Sequence, residues 1–304
     1  MDFIEKILGT ILNDWVGKFI KKVLKAVGNL FAEPLHDFLQ KGVSMYNQLV
    51  DCGVSILTAD PKNLNTDIWD IVTGINSALI TVSALVATIL LLVNFCSTSL
   101  DVKDNMRMES VLKLYIRICL TNFFIVNNMT VITAVLSAGN YITGKFGTPG
   151  SGHLSMSLGV AKFKNHGAGT LLIALLVVAV FGILLYSGGN LILAAYKRYF
   201  KLLLIVPYGS LAFATMAGDH DTARSARSYV KYILATFLEA AAMILILRVM
   251  GILSASPAGI LNKAGITVFD DIYGQIIMLG FHAILTNTLI GETDTIIHRA
   301  LFAL

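Results

Sequence analysis

Residues 169 to 195 read GTLLIALLVVAVFGILLYSGGNLILAA, 27 positions without one Asp, Glu, Lys or Arg. A helix needs about 20 mostly apolar residues to cross the roughly 30 Å hydrocarbon core of a bilayer, and this stretch exceeds that requirement. Residues 71 to 96, IVTGINSALITVSALVATILLLVNFC, repeat the pattern. Lipid offers no water to backbone N–H and C=O groups, so apolar runs of this length are satisfied only as helices. The expected fold is all-α, a polytopic integral membrane helical bundle with amphipathic helices at its N-terminus.

The rest of the composition agrees. Charged residues make up 14% of the 304 positions, against about 25% in a typical soluble domain. Hydrophobic residues reach 56%, and mean hydropathy is +0.74. A net charge of only +4, spread in short basic clusters beside apolar runs, argues against a nucleic-acid-binding surface and for clusters that set topology. Cys52, Cys96 and Cys119 are far apart and form no CxxC or Cys/His pattern, so neither a metal site nor a disulfide framework is indicated. Asp2 and Glu5 interrupt Met1 to Thr10, which lacks the pattern of a cleaved secretory signal, so insertion is expected to use the internal segments.

Three regions follow. In residues 1–67, Ile4, Leu8, Ile11, Trp15, Phe19, Val23 and Val27 form one apolar stripe, with Lys18, Lys21, Lys22 and Lys25 off it. Pro34 is expected to reset the chain before a second stripe of Leu35, Phe38, Leu39, Met45, Tyr46, Leu49 and Ile56, ended by the polar segment Asp60 to Asp67. Such helices lie in the interfacial plane or pack on another subunit, outside the cytoplasm. Residues 68–290 form the transmembrane bundle of about five spans: Ile71 to Cys96, Ile118 to Ser137, Gly169 to Ala195, Tyr229 to Leu253 and Ile272 to Ile290. Leu202 to Ala217 is short and broken by Pro207 and Gly209. Basic loops at Tyr196 to Lys201 and Gly218 to Ser228 are predicted on both sides of it, which makes it re-entrant from the cytoplasm. The external loops become Gly139 to Gly167 and Ser254 to Asp271, and residues 291–304 form a cytoplasmic tail. Six full spans with both termini on one side is the competing topology.

No GxSxG, HExxH, Walker-type loop or GxGxxG occurs, and the histidines are scattered, so no catalytic residues, cofactor or metal ligands are expected. Polar residues within apolar spans are costly and point inward. Asn122, Asn127, Asn128, Asn190, Glu239 and Arg248 are therefore candidates for a pore wall or for interhelical polar contacts. Glu239 and Arg248, nine apart, fall on opposite faces of one helix and must find different neighbours. Lys113 and Arg117, one turn apart at the inner edge of the second span, suit a lipid phosphate, as do Lys197 and Arg198; a general positive-inside anchor is the competing explanation. Phospholipid is the one bound molecule these flanks suggest.

The stretch Arg198 to Arg248, RYFKLLLIVPYGSLAFATMAGDHDTARSARSYVKYILATFLEAAAMILILR in part, carries a more specific signal. A basic and an aromatic residue (Arg198, Tyr199) precede an apolar run ending in Pro207 with small residues after it. A polar loop and then Ser228, Tyr229 and Lys231 open the next span. This pattern resembles the TrbL/VirB-six-like family of polytopic proteins of conjugative type IV secretion systems, of the Gram-positive type. The resemblance implies a bacterial cell-membrane channel or scaffold subunit, assembled as a homo-oligomeric ring for DNA and protein transfer. It also implies partner secretion subunits and ATPases, transient contact with translocating DNA, an external N-terminus and a cytoplasmic C-terminus. A small-solute secondary transporter with its site at the broken helix around Pro207 is the alternative from another class. A non-conducting membrane scaffold is the third possibility.

Overall fold

The computed structural model describes residues 31–101, 108–147, 150, 152–156, 158, 159, 163, 169–255 and 271–302. The predicted stripe from Ile4 to Val27 lies outside them. Every regular element among the described residues is helical: α1 (residues 31–58), α2 (Pro61–Leu64), α3 (Thr66–Asp101), α4 (Met108–Val126), α5 (Asn128–Phe146), α6 (Gly169–Ile205), α7 (Gly209–Ala214), α8 (His220–Ala255) and α9 (Ile272–Phe302). Short 3-10 turns, Val206–Tyr208 and Thr215–Ala217, flank α7. Among the described residues, four helical segments are long and apolar enough to cross a membrane, Thr66–Cys96, Leu171–Ala217, Asp221–Ser254 and Ile272–Leu301, and the bent pair α4 and α5 would make a fifth if it is one span. The chain is an all-α polytopic helical protein.

Helix α3 has a membrane helix's polarity. Its exposed face carries Ile71, Ile75, Val82, Leu85, Ile89 and Leu92, whereas its buried face carries Val72, Asn76, Ser83 and Ala87. A helix in water arranges itself the other way, with the large apolar side chains inside. A hydrocarbon surround accounts for the larger, greasier face being the outer one.

Several boundaries differ from expectation. The predicted loop Tyr196 to Lys201 is helix, because α6 runs unbroken to Ile205, so Leu202 to Ala217 continues α6 rather than forming a separate re-entrant hairpin. The segment has 47 residues, more than twice the about 20 that a hydrocarbon core needs. The predicted span Ile118 to Ser137 is split at Asn127, where α4 and α5 meet at 68°. The loop predicted from Gly139 starts only after Phe146, and the predicted tail 291–304 is helical to Phe302. Helix α1 runs through Pro34, where a reset was expected.

The chain divides into two compact units. The first comprises Met1–Asp51, Gly150–Leu191 and Ile246–Leu289. There α1 buries Leu39, Val43, Tyr46 and Val50, a heptad-like row, while Phe38 and Met45 of the predicted stripe are exposed. Burial pushes the Tyr46 phenol up to about 12. Two glycines set the α1–α6 distance. A Cβ on Gly42 would stand 2.7 Å from Phe181 Cδ2, and one on Gly188 2.7 Å from Leu49 Cδ1. Residues 152–156 and 158 lie against this unit. Asn47 holds Leu154 by both backbone groups (3.1 and 2.8 Å), His36 Nε2 lies 3.1 Å from Leu158 O, and the Ser254 hydroxyl donates to His153 O at 3.1 Å.

The second unit comprises Cys52–Pro149, Ile192–Leu245 and Ile290–Leu304. Its core has two parts, one built on Val72, Ile132, Leu136, Tyr199, Leu202 and Phe237, the other on Ala87, Ile125, Phe213, Ala214 and Ala217. Gly139 lets α5 touch Phe237, whose ring atom Cδ1 would lie 2.6 Å from an added Cβ.

Candidate functional site

Among the described residues, buried and partly buried charges gather in the second unit, where α6, α8 and α9 each present one face. Arg198 and Lys201 are three apart on α6, Tyr232, Thr236 and Glu239 follow helical spacing on α8, and Asp294 and His298 are four apart on α9. Lys201 Nζ sits 2.7 Å from Asp294 Oδ1 and 3.6 Å from Glu239 Oε2, with the Tyr232 ring centroid 5.3 Å away. His298 Nε2 lies 3.1 Å from the same Asp294 oxygen, and its ring lies 4.9 Å from that of Tyr232. Arg198 is 4% exposed and donates through Nε to Thr236 O at 3.0 Å and through NH1 to Leu57 O at 3.4 Å. Arg198 and Lys201 thus stand among Glu239 and Asp294, two positive and two negative groups. An isolated charge in so buried a place costs several kcal/mol, about what a balanced cluster avoids. Chemically, the cluster can lock three helices together.

Sequence reasoning found Glu239 and Arg198 separately and missed Lys201, Asp294 and His298. One signal was present: an Asp and a His four apart, just past an apolar run on α9, present a polar face that such a run must align with a partner. Placement of Arg198 corrects the lipid-phosphate expectation, since its guanidinium is turned into the protein and bound to two carbonyls. Lys197, one residue earlier, is exposed.

A second polar constellation surrounds the helix breaks. Asn127 ends α4: its side-chain amide donates to Phe123 O at 3.0 Å on its own helix, the competition with backbone pairing that disfavours Asn in a helix interior. Asn128 is fully buried and pairs with Asn76 of α3, 2.6 Å in one direction and 3.3 Å in the other. Pro207 has no N–H to pair with the preceding turn, so the helix tightens there into a 3-10 turn: Gly209 N–H bonds to Val206 O, and the Tyr229 hydroxyl donates to Ile205 O at 3.2 Å. Pro207 and Gly209 are both buried, and a Cβ on Gly209 would meet Ile132 Cδ1 at 2.7 Å and the Tyr229 hydroxyl at 2.8 Å. Of the remaining candidates, Asn122 and Arg248 are exposed and Asn190 is half-buried.

Lys113 and Arg117 line a cavity of about 800 Å³ in the same unit, together with Arg227 and Lys231 of α8. Arg117 donates through NH1 to Gly218 O at 3.0 Å, closing the end of the second 3-10 turn. Among the described residues, no three His, Cys, Asp or Glu side chains converge to hold a metal ion. Comparison of the chain with protein-family models, with curated proteins and with solved structures finds no match.

Proposed function

We propose that the chain is a membrane channel or scaffold subunit of a conjugative type IV secretion system, forming an oligomeric ring through which DNA or protein passes. The observation that supports this reading is local. Four of the residues carrying the resemblance organise the second unit: Arg198 ties α6 to α8 and to Leu57, Tyr199 is buried in the core, Pro207 turns the helix, and Tyr229 takes up a carbonyl beside that turn. A motif whose members support one another's geometry is a better mark of kinship than the same residues scattered over a surface. In this reading the protein sits in a bacterial cell membrane with its N-terminus outside and its C-terminus cytoplasmic. Partner ATPases supply the energy, and cargo touches the subunit only transiently.

The secondary-transporter reading needs an unwound segment at mid-membrane with open backbone groups facing a substrate. Its weakness is that the carbonyl beside Pro207 accepts from Tyr229, and Pro207 and Gly209 are both buried.

The deciding experiment is electron cryo-microscopy of the full chain in lipid nanodiscs, paired with transfer of a mobile element from donor cells whose own copy is deleted. Symmetric rings and restored transfer on complementation are expected. Strictly monomeric particles, together with uptake of a defined solute into liposomes, would move the transporter reading to first place.

A further inference from the structure

The cavity lined by Lys113, Arg117, Arg227 and Lys231 combines two features that rarely coincide. Each helix contributes one face: Lys113, Arg117, Leu120 and Phe124 recur at helical spacing along α4, and Arg227, Val230 and Lys231 do so on α8. The opposite wall is apolar, made of Phe213 and Met216 beside the 3-10 turns. Arg117, Arg227 and Lys231, with Lys113 at the edge of the same α4 face, thus share the space with hydrocarbon-like surface.

Charge and wall together select the occupant. Arg117, Arg227 and Lys231 call for an anion, and arginine forks suit phosphate oxygens in particular. A free phosphate has no use for Leu120, Phe124, Phe213 and Met216, whereas the acyl chains attached to a lipid phosphate do. The volume falls within the roughly 300–1,000 Å³ of sites that hold small molecules, enough for a phosphodiester and the upper parts of its chains. Arg117 is held in place by its bond to Gly218 O, which fixes one member of the basic set before any ligand arrives.

We infer that this cleft is a binding site for one anionic phospholipid, its phosphodiester among Lys113, Arg117, Arg227 and Lys231 and its acyl chains against α4 and α7. A zwitterionic lipid is selected against because its cationic headgroup would meet the same four side chains. The inference stands on the cleft alone and holds whether or not the protein serves conjugation.

The test uses the full chain purified into nanodiscs of phosphatidylcholine doped with phosphatidylglycerol, with retained lipid counted by native mass spectrometry after delipidation in mild detergent. About one phosphatidylglycerol per chain is expected. The double variant R227Q/K231Q should bind it roughly 30-fold more weakly, at about fivefold for each basic side chain near an anionic surface. Ala223→Trp keeps every charge but fills the cleft, and should also lose the lipid; it covers the case in which the charge variant fails to fold. Equal retention of both lipid types, or undiminished phosphatidylglycerol in folded forms of both variants, would overturn the site. Displacement by inorganic phosphate or by an oligonucleotide would also overturn it.

Discussion

Lys201 stands where three helices meet, and its neighbours decide what its removal does. Lys201→Met leaves Asp294 and Glu239 without their shared cation; because Asp294 is partly exposed and screened by solvent, the loss is on the order of 1–2 kcal/mol, below that of a fully buried pair. Thermal unfolding in detergent should report it, and adding Glu239→Gln should recover part of the loss because the stranded charge is gone. No recovery would mean that Glu239 answers mainly to Arg198. The Asn76–Asn128 pair behaves by the same logic without charge. Asn128→Leu strands the other amide at a cost of about 1–3 kcal/mol, while the double change to leucine should come out close to neutral. These partners were hidden from the sequence because Asn76 and Asn128 are 52 positions apart, and Lys201 and Asp294 are 93. Composition shows that buried polar groups need partners, but not which ones.

At the level of elements, the glycines of α6 separate packing from propensity. Gly188 and Gly189 are adjacent, yet a Cβ at Gly188 runs into Leu49 of α1, whereas one at Gly189 meets nothing within 4 Å. Gly188→Ala should therefore loosen the α1–α6 contact, and Gly189→Ala should stabilise the helix by roughly 0.5–1 kcal/mol, since glycine is the poorer helix former. Melting temperatures of the two variants should move in opposite directions. The breaks in the helices follow a similar division. Pro207 announced a break, and one is present, but only the fold decided that the helix would tighten through two 3-10 turns and carry on rather than reverse. Asn127 gave a weaker signal, and the 68° bend there comes from a side chain that bonds its own helix while its neighbour is drawn to α3.

For the whole molecule, the proposed topology puts α1 outside the cell and makes Cys52 reachable from there. Cys52 is exposed and not in a disulfide, so a membrane-impermeant maleimide should label it in intact cells. Labelling only after permeabilisation would invert the topology. Arg248→Leu should leave folding intact, because the side chain is exposed, and should lower transfer only if the residue faces the cargo path. The sequence by itself determined the solvent: uncharged runs such as 169–195 are long enough for hydrocarbon, and backbone hydrogen bonding in lipid permits only helices there. It also determined where polar residues would be expensive. Tertiary structure alone decided how that expense is met, by turning Arg198 inward to carbonyls instead of outward to phosphate, by gathering Lys201, Glu239, Asp294 and His298 from three helices, and by joining two helix faces into a basic cleft. Periodicity fixes which residues share a face of one helix; which faces then meet depends on contacts between segments far apart in the chain, and no local pattern encodes those.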